Sequence, residues 1–550
     1  MAAQLGGTPV LILKEGTERT RGKDATSVNI QAARVIADSI RSALGPRGMD
    51  KMLVDNFGDV VITNDGATIL KEIDVQHPVA KFVVELAKSQ DDEVGDGTTT
   101  VVIIAGEFLK QAERLLELEV HPTVIVEGLR KATDKAMELI DTNSRRVTIE
   151  DVSELKKVAM TAMGSKVVVG SSDYLSDLVV KAVRSVATQR NGKWKVDIDD
   201  IAITKKEGES LEDTILVTGL VIDKEVVHAQ MPKTIKNAKI ALLAGALEIT
   251  KTEFDAKINI TSAEQMKLFL DREQNILSEM VDVIKNAGTT VVFCQKGIDD
   301  LVQHYLAKAG ILAVRRAKKS DMDKLAKATG GKIITNVREL DAEDLGSADL
   351  VEERKIGDDK MVFIEGAPEA KAISILIRGG TELVVDEAER ALHDAIMVVR
   401  DVVEDEKVVP GGGAIEAELA TEISKWSATF SGKEQLAIEA FAKSLDVIPS
   451  TLAENAGLDP IDIMVELRSK HESDGNSWGI DIMNGRVADM SQTNVVEPAA
   501  VKRQAISAAS EAAQMILRID DVIAAKELER GGPPGGGEGP PGGEGESEFD

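Results

Sequence analysis

The chain has 550 residues and a formal charge of −28, with 43% hydrophobic but only 3% aromatic content. Single cores stop growing near ~250–300 residues, so roughly three domains with aliphatic interiors are expected, and an acidic surface of this size argues against a nucleic-acid partner. One cysteine, Cys294, excludes an internal disulfide, scattered histidines without paired cysteines give no zinc site, and the lack of a long apolar run or signal peptide makes the cytoplasm the expected address.

Residues 1–24 are polar and irregular apart from Pro9-Val-Leu-Ile-Leu13, a short run that needs other strands to be stable. Ser27 is placed to cap a helix whose Ala33, Ile36, Ile40 and Leu44 share one face, stopped at Leu44-Gly45-Pro46-Arg47-Gly48. That loop reads either as an ordinary helix stop or as backbone laid along a nucleotide. Lys51 to Thr63 reads as a hairpin turning at Asn56-Phe57-Gly58, with Met52 and Val54 on one arm and Val60 and Ile62 on the other. It leads into Thr63-Asn64-Asp65-Gly66-Ala67-Thr68, a Gly/Asp/Thr loop that opens onto a helix.

After a buried helix marked by Val79, Phe82, Val83 and Leu86 comes a second such loop, Val94-Gly95-Asp96-Gly97-Thr98-Thr99-Thr100. Its glycines let backbone approach a ligand, its aspartate can hold a metal, and its hydroxyls can donate to phosphate. Val101, Ala105, Phe108, Ala112 and Leu115 then recur at helical spacing, so a buried helix begins within the threonine run and aims its free N–H groups at the glycines, an anion site. Alone the motif also reads as a turn with an N-cap. It is neither a Walker A loop nor the spaced-glycine dinucleotide fingerprint. Two Gly/Asp/Thr loops separated by one helix suggest convergence on a single phosphate and its magnesium.

Ser153 to Met163 reads as a helix closed by Gly164-Ser165-Lys166, where the lysine either senses a phosphate or is solvated. Asn191-Gly192 marks a hairpin, and strands between Ile201 and Val221 lead into another domain. Within 223–370, strand Val291–Cys294, helix Asp299–Ala309, strand Ile311–Val314, a helix opening at Ser320 with Asp323 three on, and strand Lys332–Ile334 alternate as an α/β unit with a partly parallel sheet. Before it, Glu248–Ile260 and a helix carrying Met266, Leu270, Leu277, Met280 and Ile284 read either as core or as a projecting segment. After strand Ala372–Ile377, a long helix buries Val385, Ala388, Leu392, Ala395 and Val399, leaving Arg390 and Asp394 on another face. An i,i+4 ion pair is one account of Asp394; a carboxylate that positions water against a γ-phosphate is the other. Pro410-Gly411-Gly412-Gly413-Ala414 opens a further helix. Residues 446–457 read as a packed helix and cap, 472–498 as hairpin-like up to Val496-Glu497-Pro498, and two helical stretches follow to Arg530. The Gly/Pro/Glu tail 531–550 cannot bury enough apolar surface to fold and is expected to be disordered.

Taken together, Leu44-Gly-Pro-Arg-Gly-Met-Asp-Lys-Met52, Thr63-Asn-Asp-Gly-Ala-Thr68, Val94-Gly-Asp-Gly-Thr-Thr-Thr100, Phe293-Cys-Gln-Lys-Gly-Ile-Asp-Asp300, Pro410-Gly-Gly-Gly413 and Val496-Glu-Pro498 resemble the group II chaperonins, the archaeal thermosome type, over about residues 1–530. The resemblance implies a multidomain α/β fold with a nested chain. A mostly helical equatorial ATPase domain would come from 1–151 and 408–530, a small α/β intermediate domain from 152–222 and 373–407, and an α/β apical domain from 223–372 with a lid protrusion near 248–280. It implies Mg-dependent ATP hydrolysis that drives the enclosure and folding of unfolded polypeptides in a double ring of like or related subunits, with no separate cap and no nucleic acid. By position, Asp96 would bind Mg²⁺. Gly97, Thr98 and Thr99 would hold the phosphates, Gly45 and Pro46 would lie along the nucleotide, Gly412 and Glu497 would contact the ribose side, and Lys166 would report the γ-phosphate, with Leu44, Gly66, Thr100 and Gly411 also binding the nucleotide. Asp65 and Asp394 would orient the attacking water. The family more often has Lys where Arg47 stands, and the acidic tail departs from the Gly/Met-rich tails of many relatives. The run 9–13 and the hairpin 51–63 are expected to pair with each other and with a neighbouring subunit.

Overall fold

The structure, a computed structural model, describes residues 2–5, 8–11, 17–55, 57–164, 167–249, 262–368, 372–473 and 475–525. Its buried apolar residues fall into three large clusters that the chain visits out and back. The first is helical. From the N-terminal side it takes helices Gly22–Ile40, Pro78–Val94, Thr98–Glu117 and Pro122–Asn143, and from the C-terminal side Ala414–Ser427, Lys433–Leu445, Val447–Asn455, Pro460–Ser473 and Ala499–Leu517. Thr98–Glu117 is its axis: Val101 to Ala105, Phe108, Leu109 and Ala112 are all buried, and Phe108 stacks on Phe441 with ring centroids 4.7 Å apart. Its first turns are buried all round, while Glu107, Lys110, Glu113, Arg114 and Glu117 form a polar face farther along.

The second cluster joins helices Val152–Met163, Ser172–Val186 and Glu382–Asp405 to a three-stranded sheet in the order Ile215–Val217, Ile373–Gly379, Ile201–Glu207. The third lies around a seven-stranded sheet. There Thr234–Leu243 is parallel to Val291–Cys294 and Ile333–Ile334, Val291–Cys294 is parallel to Leu312–Val314, and Gly346–Ile356, Asp359–Glu365 and Gly219–Ile222 continue antiparallel. The parallel pairs require crossovers, supplied by helices Ala263–Asn286, Asp300–Lys308 and Lys319–Thr329. Strand Lys407–Pro410 pairs with Arg145–Arg146 on one side and Val496–Pro498 on the other, so three separate passes of the chain are clamped where the first two clusters meet.

Several expectations are corrected. Ser27 does not cap its helix, which already begins at Gly22 behind Arg21. Helix Lys319–Thr329 likewise starts ahead of Ser320, on Lys318, with no side-chain cap. Among the described residues the run near 9–13 does not pair with the hairpin. Thr8–Leu11 pairs with Ala2–Leu5, while Lys51–Val54 and Val60–Thr63 pair only with each other among the described residues. After Leu517 the chain forms not a second helix but strand Asp521–Ala525, antiparallel to Thr17–Arg21, which ties the two ends together. Arg390 forms an i,i+3 pair with Glu387, Nη2 to Oε2 2.8 Å. Helix Ala263–Asn286 buries Leu277, Val281 and Ile284 but exposes Met266, Leu268, Phe269 and Leu270, so its first half projects from the core. Residues 250–261 of the expected protrusion, Asn56 of the hairpin turn, Ser165, Lys166 and the tail 526–550 lie outside the described residues.

Candidate nucleotide site

The two Gly/Asp/Thr loops meet. Asp65 caps helix Gly66–Glu72 by accepting from Thr68 N at 2.8 Å, and its other oxygen accepts from Thr98 Oγ1 at 3.0 Å. The backbones touch as well, because a Cβ on Gly66 would lie 2.8 Å from Thr99 N. Only glycine permits that approach. Thr98, Thr99 and Thr100 form the buried first turn of helix Thr98–Glu117, whose unsatisfied N–H groups and dipole face the loop. Gly95 and Gly97, at φ 70° and 77°, hold the left-handed turns that present Asp96 between them. Gln90 Nε2 braces the turn by donating to Asp96 O at 2.8 Å.

Helix Glu382–Asp405 closes one side. A Cβ on Gly95 would sit 2.3 Å from Met397 Cβ, so helix and loop are in backbone-level contact, and Asp394 lies one turn before Met397. The same helix packs on Pro78–Val94 and on strand Val60–Thr63, and Arg400 Nη2 donates to Glu93 O. Asp394 is buried, with its Oδ1 3.9 Å from His393 Nδ1. Asp91 is pushed up to about 6 by burial and then by the nearby charges of Asp65 and Asp394, with His393 opposing. Asp65, Asp91 and Asp394 therefore feel one another across the loop.

Lys166 lies outside the described residues, and the other predicted residues gather in a second set of contacts around strand Trp478–Asp481. Leu44, Gly45 and Pro46 follow a short 3₁₀ turn, and Asn455 Nδ2 donates to Arg41 O and Leu44 O at 3.1 and 2.9 Å. Gly45, at φ 83°, lets Leu452 within 2.5 Å of where its Cβ would stand, with Ile482 next at 3.7 Å. Gly412, at φ 64°, accepts from Ile480 N at 2.9 Å. Strand Trp478–Asp481 and the following Ile482 thus connect the Gly45 and Gly412 loops. Gly411 leaves room for Glu497, whose Oε1 would be 2.8 Å from a Cβ there. Residues that sequence reasoning missed are Gln90, Asp91, Glu416 and Lys502. Gln90 and Lys502 carried a visible signal, a polar residue on an otherwise buried helical stripe: Val83, Leu86, Ala87, Gln90, Val94 in one case and Ala499, Lys502, Ala505, Ile506 in the other.

A partly exposed carboxylate beside a helix N-terminus is what Mg²⁺ arriving with a polyphosphate uses, because that ion keeps waters and phosphate oxygens and takes only one or two protein carboxylates. Asp96, partly exposed, with Thr98 Oγ1 and the mutually repelling acids behind it, fits that requirement.

The sequence model of the TCP-1/cpn60 chaperonin family matches residues 36–527. The chain is 59% identical over 546 residues to the thermosome subunit alpha of Archaeoglobus fulgidus, covering 99% of this chain and 100% of that protein. It is 57% identical over 537 residues to the beta subunit of the same organism, covering 98% of each. The thermosome subunit of Pyrococcus horikoshii is 59% identical over 528 residues, 96% of each chain. Among solved structures, an open-state monomer of a group II chaperonin from Methanococcoides burtonii superposes with a TM-score of 0.62 at 45% identity, covering 78% of this chain and 100% of that one. A match of this extent, on a fold built from three nested cores, means that the chain belongs to the TCP-1/cpn60 chaperonin family, in its group II branch.

Proposed function

We propose that ATP binds with its phosphates on the Thr98–Thr100 turn and its ribose toward Gly411, Gly412 and Glu497, and that hydrolysis needs Asp65 from one loop and Asp394 from helix Glu382–Asp405. The activity itself comes with the family: ATP-dependent folding of polypeptides in a double-ring chamber, the subunit acting as an ATPase and assembling with related subunits. The observation that carries the residue assignment is the contact of Met397 with Gly95, which sets Asp394 beside the loop that also holds Asp65 against Thr98.

In this reading Gly66, Gly97, Thr98, Thr99 and Thr100 bind the phosphates, Leu44, Gly45 and Pro46 run along the nucleotide, and Lys166 meets the γ-phosphate. Asp96 would hold Mg²⁺, which when bound neutralises phosphate charge. Asp65 and Asp394 orient water for in-line attack, the positioning on which phosphoryl transfer chiefly depends. Residues 1–151 with 408–530 are the equatorial domain, 152–222 with 373–407 the intermediate domain, and 223–372 the apical domain carrying the protrusion near 248–280 as a built-in lid. Because Asp394 belongs to the intermediate domain, closure of that domain completes the site and couples hydrolysis to the lid. The ring acts in the cytoplasm without a separate cap. Asp394→Ala should retain ATP binding and lose hydrolysis by about 100-fold or more; full turnover in that variant ends the assignment.

A further inference from the structure

Beneath the ribose side of this site lies a cluster of charge that the chemistry above does not use. Lys502, in the first turn of helix Ala499–Leu517, is 6% exposed, and Glu416, in the first turn of helix Ala414–Ser427, is 1% exposed. Lys502 Nζ donates to Glu416 Oε1 at 2.8 Å and also pairs with Glu497 Oε2. Glu416 Oε2 is buried with no hydrogen-bond partner among the described residues. Glu497 is the one member that reaches solvent, its side chain 21% exposed. The charges thus run from a sealed carboxylate through an ammonium to a carboxylate at the wall of the pocket.

Such an arrangement is a poor source of stability. Burying each charge costs several kcal/mol that mutual attraction repays only in part, and apolar residues of similar volume often do as well or better. Two carboxylates share one ammonium here, in a face otherwise made of Ala499, Val501, Ala505 and Ile506. Burial pulls Lys502 down, but Glu416 and Glu497 together raise it well above the ordinary lysine range, so it stays a cation. Burial and Glu416 push Glu497 up against the pull of Lys502 and of the Gly412 N–H. Without the ammonium, Glu497 would face Glu416 with no cation between them.

We propose that Lys502, anchored on the buried Glu416, is the positioning residue for ribose recognition: it holds the Glu497 carboxylate at the edge of the Gly411–Gly412 loop, where it accepts a hydrogen bond from a ribose hydroxyl. The inference rests on the placement of Glu497 at the ribose given above. The same helical turn also reaches the phosphate end. Val501 Cγ1 would lie 3.1 Å from a Cβ on Gly97, and Gln90 Nε2, which braces Asp96, is 3.5 Å from Val501 O. Residues 501 and 502 therefore tie the two ends of one pocket to a single rigid turn.

The test is calorimetric titration of the assembled full-length protein with ADP, 2′-deoxy-ADP and 3′-deoxy-ADP, which reads binding without hydrolysis. The parent should bind one deoxy nucleotide about 10- to 100-fold more weakly than ADP, the scale of a lost hydrogen bond to a charged group. Glu497→Gln should cut that preference to about 3-fold or less. Lys502→Met, at unchanged particle size, should match it, and the double variant should add nothing further, because both act through one carboxylate. Lys502→Arg should restore part of the preference. If Lys502→Met fails to assemble, Lys502→Met with Glu416→Leu removes the stranded buried carboxylate, and the same ratio is read. A Lys502 variant that weakens all three nucleotides equally and keeps the parental preference overturns the positioning role. A parent without preference, or a Glu497→Gln variant that keeps it, overturns the ribose assignment itself.

Discussion

The contact between Gly95 and Met397 makes the proposed gating open to a one-methyl test. Gly95→Ala would place a Cβ 2.3 Å from Met397 Cβ and 2.5 Å from Met397 Cγ, where ordinary contact begins at 3.4 Å, so the two segments must part by about 1 Å. The phosphate loop cannot retreat to make that room. It is backed by the Gly66–Thr99 backbone contact, at 2.8 Å from the same kind of built Cβ, and by Val501 against Gly97 at 3.1 Å. Helix Glu382–Asp405 therefore moves instead and takes Asp394 with it. Alanine at φ 70° adds roughly 1–2 kcal/mol of backbone strain, a stability cost that does not distinguish the steps of the cycle. A displacement of ~1 Å at a positioning group costs about 100-fold in rate. Single-turnover hydrolysis should accordingly fall ~100-fold, while ATP affinity, measured by equilibrium titration, changes by less than about 5-fold, since the phosphate contacts stay in place. Met397→Gly removes the obstructing Cβ, so Gly95→Ala with Met397→Gly should regain most of the lost rate relative to Met397→Gly alone. Parental hydrolysis in Gly95→Ala, or binding and hydrolysis lost in equal measure, would refute the idea that this helix delivers the catalytic carboxylate.

Asn455→Ala removes the two hydrogen bonds that pin the carbonyls of Arg41 and Leu44; nucleotide affinity should drop about 10-fold, with single-turnover hydrolysis at saturation close to parental, as binding and rapid-quench measurements would show. Asp401 is pushed up to about 7 by burial against the pull of Arg400, and its Oδ2 has no hydrogen-bond partner among the described residues. An acid with a raised folded pKa favours the native state below its unfolded value near 3.8 and loses that advantage as pH climbs through about 7. Asp401→Asn should therefore flatten the fall in stability between those limits, a change on the order of 4 kcal/mol at most, read from urea melts at a series of pH values. Phe441→Ala opens a cavity where it stacks on Phe108 beneath the phosphate helix and should cost about 3–5 kcal/mol in the same melts.

Much of this architecture is legible in the sequence because it rests on local rules. The buried stripe from Val101 to Leu115, the Asn191-Gly192 hairpin at φ 53° and 79°, and the glycine openings at Gly97 and Gly413 each follow from periodicity or from the conformations that glycine alone tolerates. What fails is pairing at a distance. The strand Asp521–Ala525 looks like a helix continuation until Thr17–Arg21 is there to receive it. Helix starts fail for a related reason. Arg21 and Lys318 begin helices without a capping side chain, so the first Ser downstream draws attention it does not merit.

Two of the site residues missed from sequence share one cause, and it bears on how the site is built. Gln90 and Lys502 occupy positions that helical spacing assigns to the core, where the cost of a polar group is normally prohibitive. Helix Glu382–Asp405 shows the same pattern three times at seven-residue spacing, with Glu387, Asp394 and Asp401 all buried. Arg390 answers Glu387 and Arg400 answers Asp401, each at bonding distance. Asp394 faces the side where Asp65 and Asp91 lie, its charge helps to raise Asp91, and His393 Nδ1 is 3.9 Å from its Oδ1. The flanking pairs help to fix the helix that carries the middle carboxylate to the loop. In the proposed reading the charges of Asp65 and Asp394, which together raise Asp91, belong to the negative field that a divalent ion arriving with the nucleotide would offset.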